Sequence, residues 1–387
     1  MKAVVIGAGI LGSSTAYQLA KRGVEVTVVD KGAPGDAASA ASFAWLNSNS
    51  RELRSYHDLG VMSIAEWSVI ARELKNSSWL HTEGNLHIAG SVEEASHLEA
   101  KVRRLHSYGY PAIRMPVREL TRLDPVVRVR DNYELAVFFP SEGHITVPLL
   151  IHDLLLAAGG LGASVVAGTA VVDLINRGGE IRGVRLDNGV EIASDIVVLA
   201  AGAGIGTVMR TQGVEVRTEG TPGVVVTTSP GASNLTTMLH LPELSIRPDS
   251  EGRLVLRSFA TDSQIDRTRW QLPDTAIRNL IDQTAAALTD VDPTAVEGER
   301  VKIATRPYPF DGLPVVGHWK ELPGLYVMTM HSGVTLGAIA GRLAAEEITA
   351  DVRNPLLDSF RPSRVRAAAE NGVGYFDPYA LEDKSKA

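Results

Sequence analysis

The stretch that decides the fold is KAVVIGAGILGSSTAYQLAKRGVEVTVVD, at positions 2–30. A β-branched run over 3–6 leads into the glycine turn GAGILG at 7–12, after which 15–21 has the apolar spacing of a helix. A second β-rich run ends at Asp30. This order predicts a βαβ unit with a glycine turn between its first strand and its helix.

Each part of this unit suits a bound dinucleotide. Gly7 permits the tight turn, Gly9 lets a pyrophosphate approach the backbone, and Gly12 lets the helix pack closely on the strands. The N terminus of the helix offers free N–H groups and a positive dipole end to the phosphates. Asp30 ends the second strand, where its carboxylate can accept hydrogen bonds from a ribose and would repel a 2′-phosphate. A glycine triplet alone also fits a purely structural turn, but the strand, triplet, helix and acid together predict dinucleotide binding and disfavour NADP.

Small residues dominate the segment that follows, KGAPGDAASAAS at 31–42. Small side chains and hydroxyls let the backbone pass close to a large planar ligand. An enzyme that uses only NAD would usually continue its βαβ rhythm at this point. The alternative for this segment is a flexible surface loop.

The composition is that of an ordinary globular protein. The chain has 387 residues, of which 44% are hydrophobic and 21% charged, enough for two or three domain-equivalents. Its net charge of −7, with no basic block, argues against nucleic acid as a partner. The absence of cysteine excludes disulfides, thiolate metal sites and a flavin attached through a cysteine sulfur.

No apolar run approaches the roughly 18 residues of a membrane span, so we expect no integral membrane segment. The N terminus runs straight into the first strand without a leader pattern, and we therefore expect a cytoplasmic protein.

Helical and strand patterns alternate along the rest of the chain. Helices are predicted over 57–75, 91–108, 117–123 and 276–288, from 148–155 onward, and over 336–348. Strands are predicted over 132–139, 224–227, 244–247, 254–256 and 324–330, and a continuously apolar strand lies within 195–204 and ends in a small-residue turn, as is typical of a central parallel strand. The runs at 165–166, 169–172 and 181–186 predict a small antiparallel meander that turns at Gly178-Gly179.

In this order, the pieces resemble the D-amino acid oxidase superfamily of flavoproteins, and in size and layout its glycine oxidase and monomeric sarcosine oxidase branch. The resemblance covers nearly the whole chain. Its strongest points are the triplet Gly7-x-Gly9-x-x-Gly12 with Asp30, the strand IVVLAAG at 196–202, and Arg306-Pro307 followed by Asp311-Gly312-x-Pro314-x-x-Gly317.

The resemblance implies an α/β fold, α+β overall, with a Rossmann-like FAD-binding domain and an inserted substrate domain built on a mixed or antiparallel sheet. We predict that 1–85, 141–215 and 305–387 form the FAD-binding domain. The segments 86–140 and 216–304 then form the smaller substrate domain.

The same resemblance implies FAD as the cofactor, held noncovalently, and no metal. Some relatives attach their flavin through a histidine after the second strand, where this chain has SFAWLN at 42–47. Val171 matches a residue whose backbone meets the adenine, and the helix after 331–335 matches one whose N terminus stabilises negative charge on the reduced ring. The implied cofactor-binding residues are Gly7, Gly9, Ile10, Leu11, Gly12, Asp30, Lys31, Ser39, Ala41, Ser42, Val171, Ala201, Gly202, Gly312, Gly333, Val334, Thr335 and Leu336.

Arg306 and His331 are the candidate catalytic residues. Arg306 matches an arginine that lies over the flavin in the family, and its planar fork suits a substrate carboxylate; the alternative is an interdomain salt bridge. His331 either borders the pocket and transfers a proton or is simply a hydrogen-bonded histidine at a strand end. Aromatic side chains that fit either a pocket wall or the core are Phe43, Trp45, Tyr308 and Phe310.

The reaction implied is oxidation of a C–N bond in a small amino acid or N-alkyl amino acid, by hydride transfer to flavin, to an imine that hydrolyses. One alternative is oxidation of a 2-hydroxy acid on the same scaffold, since a fold does not fix a function. Another is a flavin-binding partner subunit of a larger complex. The expected partners are the amine substrate and either O2 or an electron carrier, with a homo-oligomer or hetero-complex possible.

Overall fold

The computed structural model describes residues 1–216 and 218–365. Residues 366–387, which end the predicted segment 305–387, lie outside the described residues. The strands are β1 (Lys2–Ile6), β2 (Glu25–Asp30), β3 (Trp45–Leu46), β4 (Leu80–His81), β5 (Asn85–Ala89), β6 (Ile113–Met115), β7 (Leu135–Phe139), β8 (Gly143–Ile145), β9 (Ser164–Ala167), β10 (Val171–Arg177), β11 (Glu180–Leu186), β12 (Glu191–Ala193), β13 (Ile196–Leu199), β14 (Thr218–Thr228), β15 (Met238–His240), β16 (Ser245–Pro248), β17 (Leu254–Arg257), β18 (Gly298–Pro309), β19 (Val315–His318) and β20 (Leu325–Thr329). The helices are α1 (Ile10–Ala20), α2 (Arg54–Leu74), α3 (Val92–Ser107), α4 (Leu120–Leu123), α5 (Val147–Gly160), α6 (Ile205–Arg210), α7 (Phe259–Asp262), α8 (Asp274–Ala287) and α9 (Gly333–Ala350), with short 3-10 helices at Val117–Glu119, Gly202–Gly204, Ser250–Gly252 and Pro355–Phe360.

The first sheet contains the predicted βαβ unit. Within the described ranges it has six strands, in the order β19, β20, β13, β1, β2 and β9. β1 pairs in parallel with both β2 and β13, and every residue of β13 is buried. The predictions of a βαβ unit and of a central parallel strand are therefore confirmed, and β13 is apolar throughout because both faces of the sheet are covered.

Two layers cover the faces of this sheet. Val5 and Val28 point toward helices α1, α2, α5 and α9, which share the first apolar cluster. Val4 and Val29, one residue along each strand, point to the opposite face, where the antiparallel strands β10, β11 and β12 pack. The sheet thus forms the middle layer of a Rossmann-like domain.

The second sheet has eight strands within the described ranges, in the order β18, β14, β17, β16, β15, β5, β7 and β6. Its own apolar cluster includes side chains of α8. The two long strands β14 and β18 pair antiparallel from Thr218↔Pro309 to Thr228↔Gly298. β18 is at the edge of the sheet, where Pro307 and Pro309 can be accommodated because a proline has no N–H to donate.

Three sequence predictions need correction. The run 165–166 is not part of the meander, because β9 continues from α5 to the edge of the first sheet and pairs in parallel with β2. The helix expected over 336–348 begins earlier, at Gly333, since Ser332 is its N-cap. The segment 117–123 begins as a 3-10 turn before the short helix α4.

The two large sheets use the chain segments that were assigned to the two predicted domains, although β18 runs across the expected boundary at 304/305. The division into domains stays a prediction.

In the described part of the chain, no helix is both long and apolar enough to cross a membrane, and no group of three or more histidine or acidic side chains could hold a metal ion.

Candidate active site

A cavity of about 900 Å³ lies at the carboxyl ends of the central parallel strands. Ile6 and Val29 line it from the ends of β1 and β2, and Ala200 lines it just after β13. It extends to β18 and to the N terminus of α9, where Val334 forms part of the wall. In open parallel sheets this edge is the usual ligand site, because helix N termini and loops converge there.

The glycine turn between β1 and α1 leaves no room for side chains. Gly7 has a φ of +103° and donates its N–H to the Val29 carbonyl over 2.8 Å. A Cβ on Gly12 would overlap the Gly7 carbonyl oxygen, while Gly9 faces the cavity. Gly7 and Gly12 therefore hold the turn, and Gly9 leaves the approach to the backbone open.

Asp30 and Ser39 brace this turn. The carboxylate of Asp30 accepts the Ala8 N–H over 2.7 Å and the Gly32 N–H over 2.9 Å. Ser39 Oγ accepts the Ile10 N–H over 3.1 Å at the start of α1. Both side chains also line the cavity, so each can contact a ligand and orient the turn at the same time.

Most of the predicted cofactor-binding residues lie together in the cavity wall. Those in the wall are Gly7, Gly9, Ile10, Leu11, Asp30, Lys31, Ser39, Ser42, Val171, Ala201, Gly202, Gly333 and Val334, and His331 joins them. Their contacts with a bound dinucleotide stay predictions.

The others lie behind the wall. Thr335 is buried and donates its hydroxyl to the Trp45 carbonyl over 2.9 Å, which joins α9 to β3. Leu336 is a core residue, and Gly312 turns the chain after β18 with a φ of +73°. Ala41 donates its N–H to the Ala37 carbonyl within the segment 31–42. These four residues and Gly12 are not among the described residues that line the cavity, and they support the segments that do line it.

Several wall residues were missed from the sequence. α6 contributes Thr207 and Val208, its C-cap contributes Thr211, and β18 contributes Ile303, Ala304, Thr305 and Pro307, together with Ala37, Ala38, Met330 and Trp270 from other segments. The i, i+4 spacing of Thr207 and Thr211 is the one local signal that could have placed two of them on one helix face.

His331 marks the end of the cavity next to α9. Its ring stacks on Tyr308 with centroids 4.1 Å apart. The side chain is open to the cavity, yet desolvation by the surrounding protein, with the charges of Arg306, Arg257 and Arg51, holds its pKa well below the usual value. His331 is therefore neutral near pH 7.

Arg306 lies beside this end, behind the residues of β18 that line the cavity. Its Nη2 is 3.0 Å from Asp262 Oδ2 and donates to the Pro222 carbonyl over 2.9 Å. Gly223 provides the space, because a Cβ there would lie 2.7 Å from Arg306 Nε. The ion pair that was the alternative for Arg306 is thus present, and the structure does not place Arg306 among the described residues of the cavity wall.

Asp262 is fully buried and also accepts the Val224 N–H over 2.8 Å. Burial raises the pKa of Asp262, while Arg306 and Arg257 oppose that rise. Asp262 thus offsets the charge of Arg306, while Arg257 and Arg51 add positive charge that acts on His331.

A buried carboxylate that the sequence did not reveal lies behind the site. Within the described ranges, Glu142 accepts six hydrogen bonds, from the Ser48 and Asn49 backbone N–H groups and from the side chains of Trp45, Asn49, Asn85 and Tyr110. Burial raises its pKa and these donors oppose the rise. Glu142 thereby fixes the segment 47–49 against the second sheet.

The four aromatic candidates lie beside the cavity rather than in its described wall. Trp45 and Phe43 pack on the ring of His240, with centroids 4.1 and 5.8 Å away. Phe310 belongs to the core on the meander side of the first sheet. Tyr308 contacts a residue of the cavity wall, because its ring stacks on that of His331.

The cavity suits FAD on physical grounds. Its size and mostly apolar wall fit a large planar ligand. Gly7, Gly9 and Gly12 bring no side chain to the turn where a pyrophosphate would lie, and the first turn of α1 carries no acidic residue in the described structure. The N terminus of α9 adds a second positive dipole end, at Gly333 and Val334.

Comparison with known proteins gives one consistent family. The family model described as FAD dependent oxidoreductase (DAO) matches residues 2–347. A glycine oxidase from Geobacillus kaustophilus is 26% identical over 352 residues, which cover 88% of this chain and 91% of that protein. One subunit of an opine oxidase from Agrobacterium tumefaciens is 26% identical over 378 residues, with 94% and 97% covered. The solved glycine oxidase structure from Bacillus cereus superposes with a TM-score of 0.81 at 23% identity and covers 92% of this chain and 97% of that one. The fold, the glycine turn and the family match agree, and the chain therefore belongs to the DAO family of FAD-dependent oxidoreductases.

Proposed function

We propose that this FAD-dependent enzyme oxidises a C–N bond of a small amino acid or N-alkyl amino acid to an imine, which water hydrolyses. The observation that carries the proposal is the position of Arg306 beside the α9 end of the cavity, next in sequence to the lining residues Thr305 and Pro307, with its charge and those of Arg257 and Arg51 acting on His331. Guanidinium groups in a partly enclosed site favour a ligand with a carboxylate. The similarity to a glycine oxidase supports an amino acid as that ligand.

In this proposal Arg306 draws the carboxylate toward the end of the cavity and fixes the substrate in one orientation. Asp262 and the Pro222 carbonyl hold the guanidinium in place, and Gly223 leaves it space. Arg306 lies outside the described wall of the cavity, so its N–H groups contact a substrate only if the side chain turns toward the cavity.

The substrate amine must lose its ammonium proton before its α-carbon can be oxidised. His331 lies in the cavity wall and can accept a hydrogen bond from the substrate amine, but its low pKa makes it a weak base, so the ammonium proton passes to water. The α-carbon would lose a hydride, for which a bound FAD would supply the two-electron acceptor, and this would leave the substrate as an iminium. Water then adds to the iminium and releases an oxo acid and ammonia or a free amine.

An anaerobic titration of the purified protein tests the proposal. D-, L- and N-methyl amino acids and 2-hydroxy acids are added in turn while the flavin absorbance near its visible maximum is followed. We expect one class of amine to bleach the flavin and to release ammonia or amine in a 1:1 ratio to reduced cofactor. Bleaching by 2-hydroxy acids alone would contradict C–N oxidation and favour the C–O alternative.

A second candidate is a flavin-bearing subunit of a larger complex, and the similarity to one subunit of an opine oxidase favours it. It predicts that no amine bleaches the isolated chain. It also predicts that a tagged copy, expressed in its native host, copurifies with another chain in a fixed ratio and then reacts. Size-exclusion chromatography with light scattering separates this outcome from a self-sufficient oligomer. Whether O2 or a carrier reoxidises the flavin, and the expected cytoplasmic location, stay predictions.

A further inference from the structure

One wall of the cofactor cavity is formed by an aromatic side chain that neither the family resemblance nor the proposed reaction explains. Trp270 lies in the connection between α7 and α8, and it lines the cavity while 47% of the residue stays exposed. An indole ring has a large apolar surface, and leaving half of it open to water is unfavourable. A ligand in the cavity is in a position to cover it.

The loop that carries Trp270 is held in a defined shape. Asp266 and Gln271 exchange backbone hydrogen bonds of 2.9 and 3.4 Å across its base. Asp266 Oδ1 accepts the N–H groups of Thr268 and Arg269 over 2.8 and 3.2 Å. These bonds fix the tip of the loop, so the ring is presented to the cavity without the cost of ordering a mobile segment.

The backbone of Trp270 is strained. Its φ is +52°, in the left-handed region that a bulky side chain rarely adopts. A glycine would accept this conformation without strain, and an exposed loop position does not need a tryptophan for packing. Strained residues cluster at ligand-binding sites, and the strain at Trp270 therefore motivates a binding role for its side chain.

The position of the loop indicates which ligand the ring contacts. The loop extends from the second sheet, whereas the glycine turn and the residues around Val171 line the cavity from the first sheet and its meander. The lining residues of β18 also belong to the second sheet, and β18 is joined to the segment 31–42 by the ion pair of Lys302 with Asp36, 3.1 Å apart. Trp270 therefore faces a cavity whose other walls are those of the dinucleotide site. We propose that the Trp270 ring packs on the bound FAD, closes the cavity from the side of the second sheet and slows release of the cofactor.

This inference rests on FAD binding and not on the substrate, so its test uses cofactor affinity. FAD is removed from the full chain and titrated back onto the apo-protein of the wild type, Trp270→Gly, Trp270→Leu and Trp270→Phe, with quenching of flavin fluorescence as the readout. We expect the Kd for FAD to rise roughly ten-fold or more in Trp270→Gly, because the apolar contact is lost. Trp270→Leu should lie between it and the wild type, and Trp270→Phe within about three-fold of the wild type, since a ring is kept.

Arg269→Ala is the matched control, because its side chain is 76% exposed, belongs to the same loop and pairs with Asp266. It should leave the Kd unchanged. The thermal midpoint of apo Trp270→Gly should equal or exceed that of the wild type, since glycine relieves the strain. An unchanged Kd for FAD in both Trp270→Gly and Trp270→Leu overturns the inference. A raised substrate KM with an unchanged Kd for FAD also overturns it and assigns the ring to the substrate.

Discussion

At the scale of the residue, Arg306 carries the first prediction. Arg306→Ala should raise the KM of a carboxylate substrate roughly ten- to hundred-fold, because hydrogen bonds to a charged group contribute about 1.5–3 kcal/mol. Arg306→Lys keeps the charge beside Asp262 but loses the planar fork, and we expect an intermediate KM. Steady-state kinetics with the substrate found in the anaerobic titration provides the measurement.

Stability must be measured in parallel, since Arg306→Ala leaves Asp262 buried without its ionic partner. That loss should cost about 3 kcal/mol of unfolding free energy, whereas Arg306→Lys should cost less. Arg300→Ala, on the same strand but with an exposed side chain, serves as the control. An unchanged KM in Arg306→Ala would leave Arg306 with the structural role of an ion pair.

Single residues show clearly what the sequence could reveal about the site. Gly7, Gly9 and Asp30 were predictable because their roles follow from one short unit in which neighbours in sequence are neighbours in space. Glu142 and Trp270 were not, because their roles depend on partners from distant segments, and an isolated glutamate or tryptophan in a sequence carries no sign of burial or of a cavity. The family prediction itself is confirmed by the match over residues 2–347.

At the scale of the element, the contact between α1 and α9 places both positive helix ends at the cavity. Gly333, Gly337 and Gly341 lie four residues apart on α9 and approach α1, where Ile10 faces the first two and Ser14 the third. A Cβ on Gly341 would lie 2.5 Å from Ser14 Oγ and 3.0 Å from the Ser14 carbonyl carbon. Small residues at this spacing let the helix backbones approach closely.

Gly341→Ala should therefore destabilise the protein by about 1–3 kcal/mol, because the added methyl forces the two helices apart. Gly159→Ala in α5 is the control: no described heavy atom lies within 4 Å of its Cβ position, and alanine there should raise stability by up to about 1 kcal/mol. Urea denaturation followed by circular dichroism measures both. Equal stability of Gly341→Ala and the wild type would mean that the helices adjust without cost.

Elements also show where sequence patterns fail. The residue pattern at 165–166 fits a strand of the meander and an edge strand of the first sheet equally well. The pairing of β9 with β2 depends on where α5 brings the chain, which the pattern does not show. β18 was missed because its prolines interrupt the strand pattern, although the edge of a sheet accommodates them. In both cases the strand depends on partners that lie far away in sequence, which local periodicity does not encode.

At the scale of the whole molecule, the histidines with lowered pKa values set the response to pH. Desolvation by the surrounding protein lowers the pKa values of His57, His81, His87, His144, His240, His318 and His331 below the usual 6.5, and that of His144 falls to about 2. In the unfolded chain these imidazoles bind protons as the pH falls through about 6.5, whereas in the folded protein they stay neutral. Burial also raises the pKa values of Glu142 and Asp262, so these two carboxyl groups bind protons more readily in the folded protein than in the unfolded chain. Their effect on stability in acid is opposite to that of the histidines, but the histidines outnumber them.

The unfolding free energy should therefore decrease as the pH falls from about 7.5 to 5.5, because the unfolded state then binds more protons. Each of these histidines contributes up to about 1.4 kcal/mol per pH unit to this slope. His144→Leu tests one contribution: its ring stacks on His81 at 4.3 Å, and within the described ranges its Nε2 is buried without a hydrogen-bond partner. Urea titrations at several pH values should give a shallower slope for this variant and an unaltered one for His152→Leu, whose side chain is exposed on α5. A slope that stays the same in His144→Leu would mean that His144 takes up a proton in the folded protein, and the acid sensitivity would then belong to the histidines that border the cavity and the second sheet.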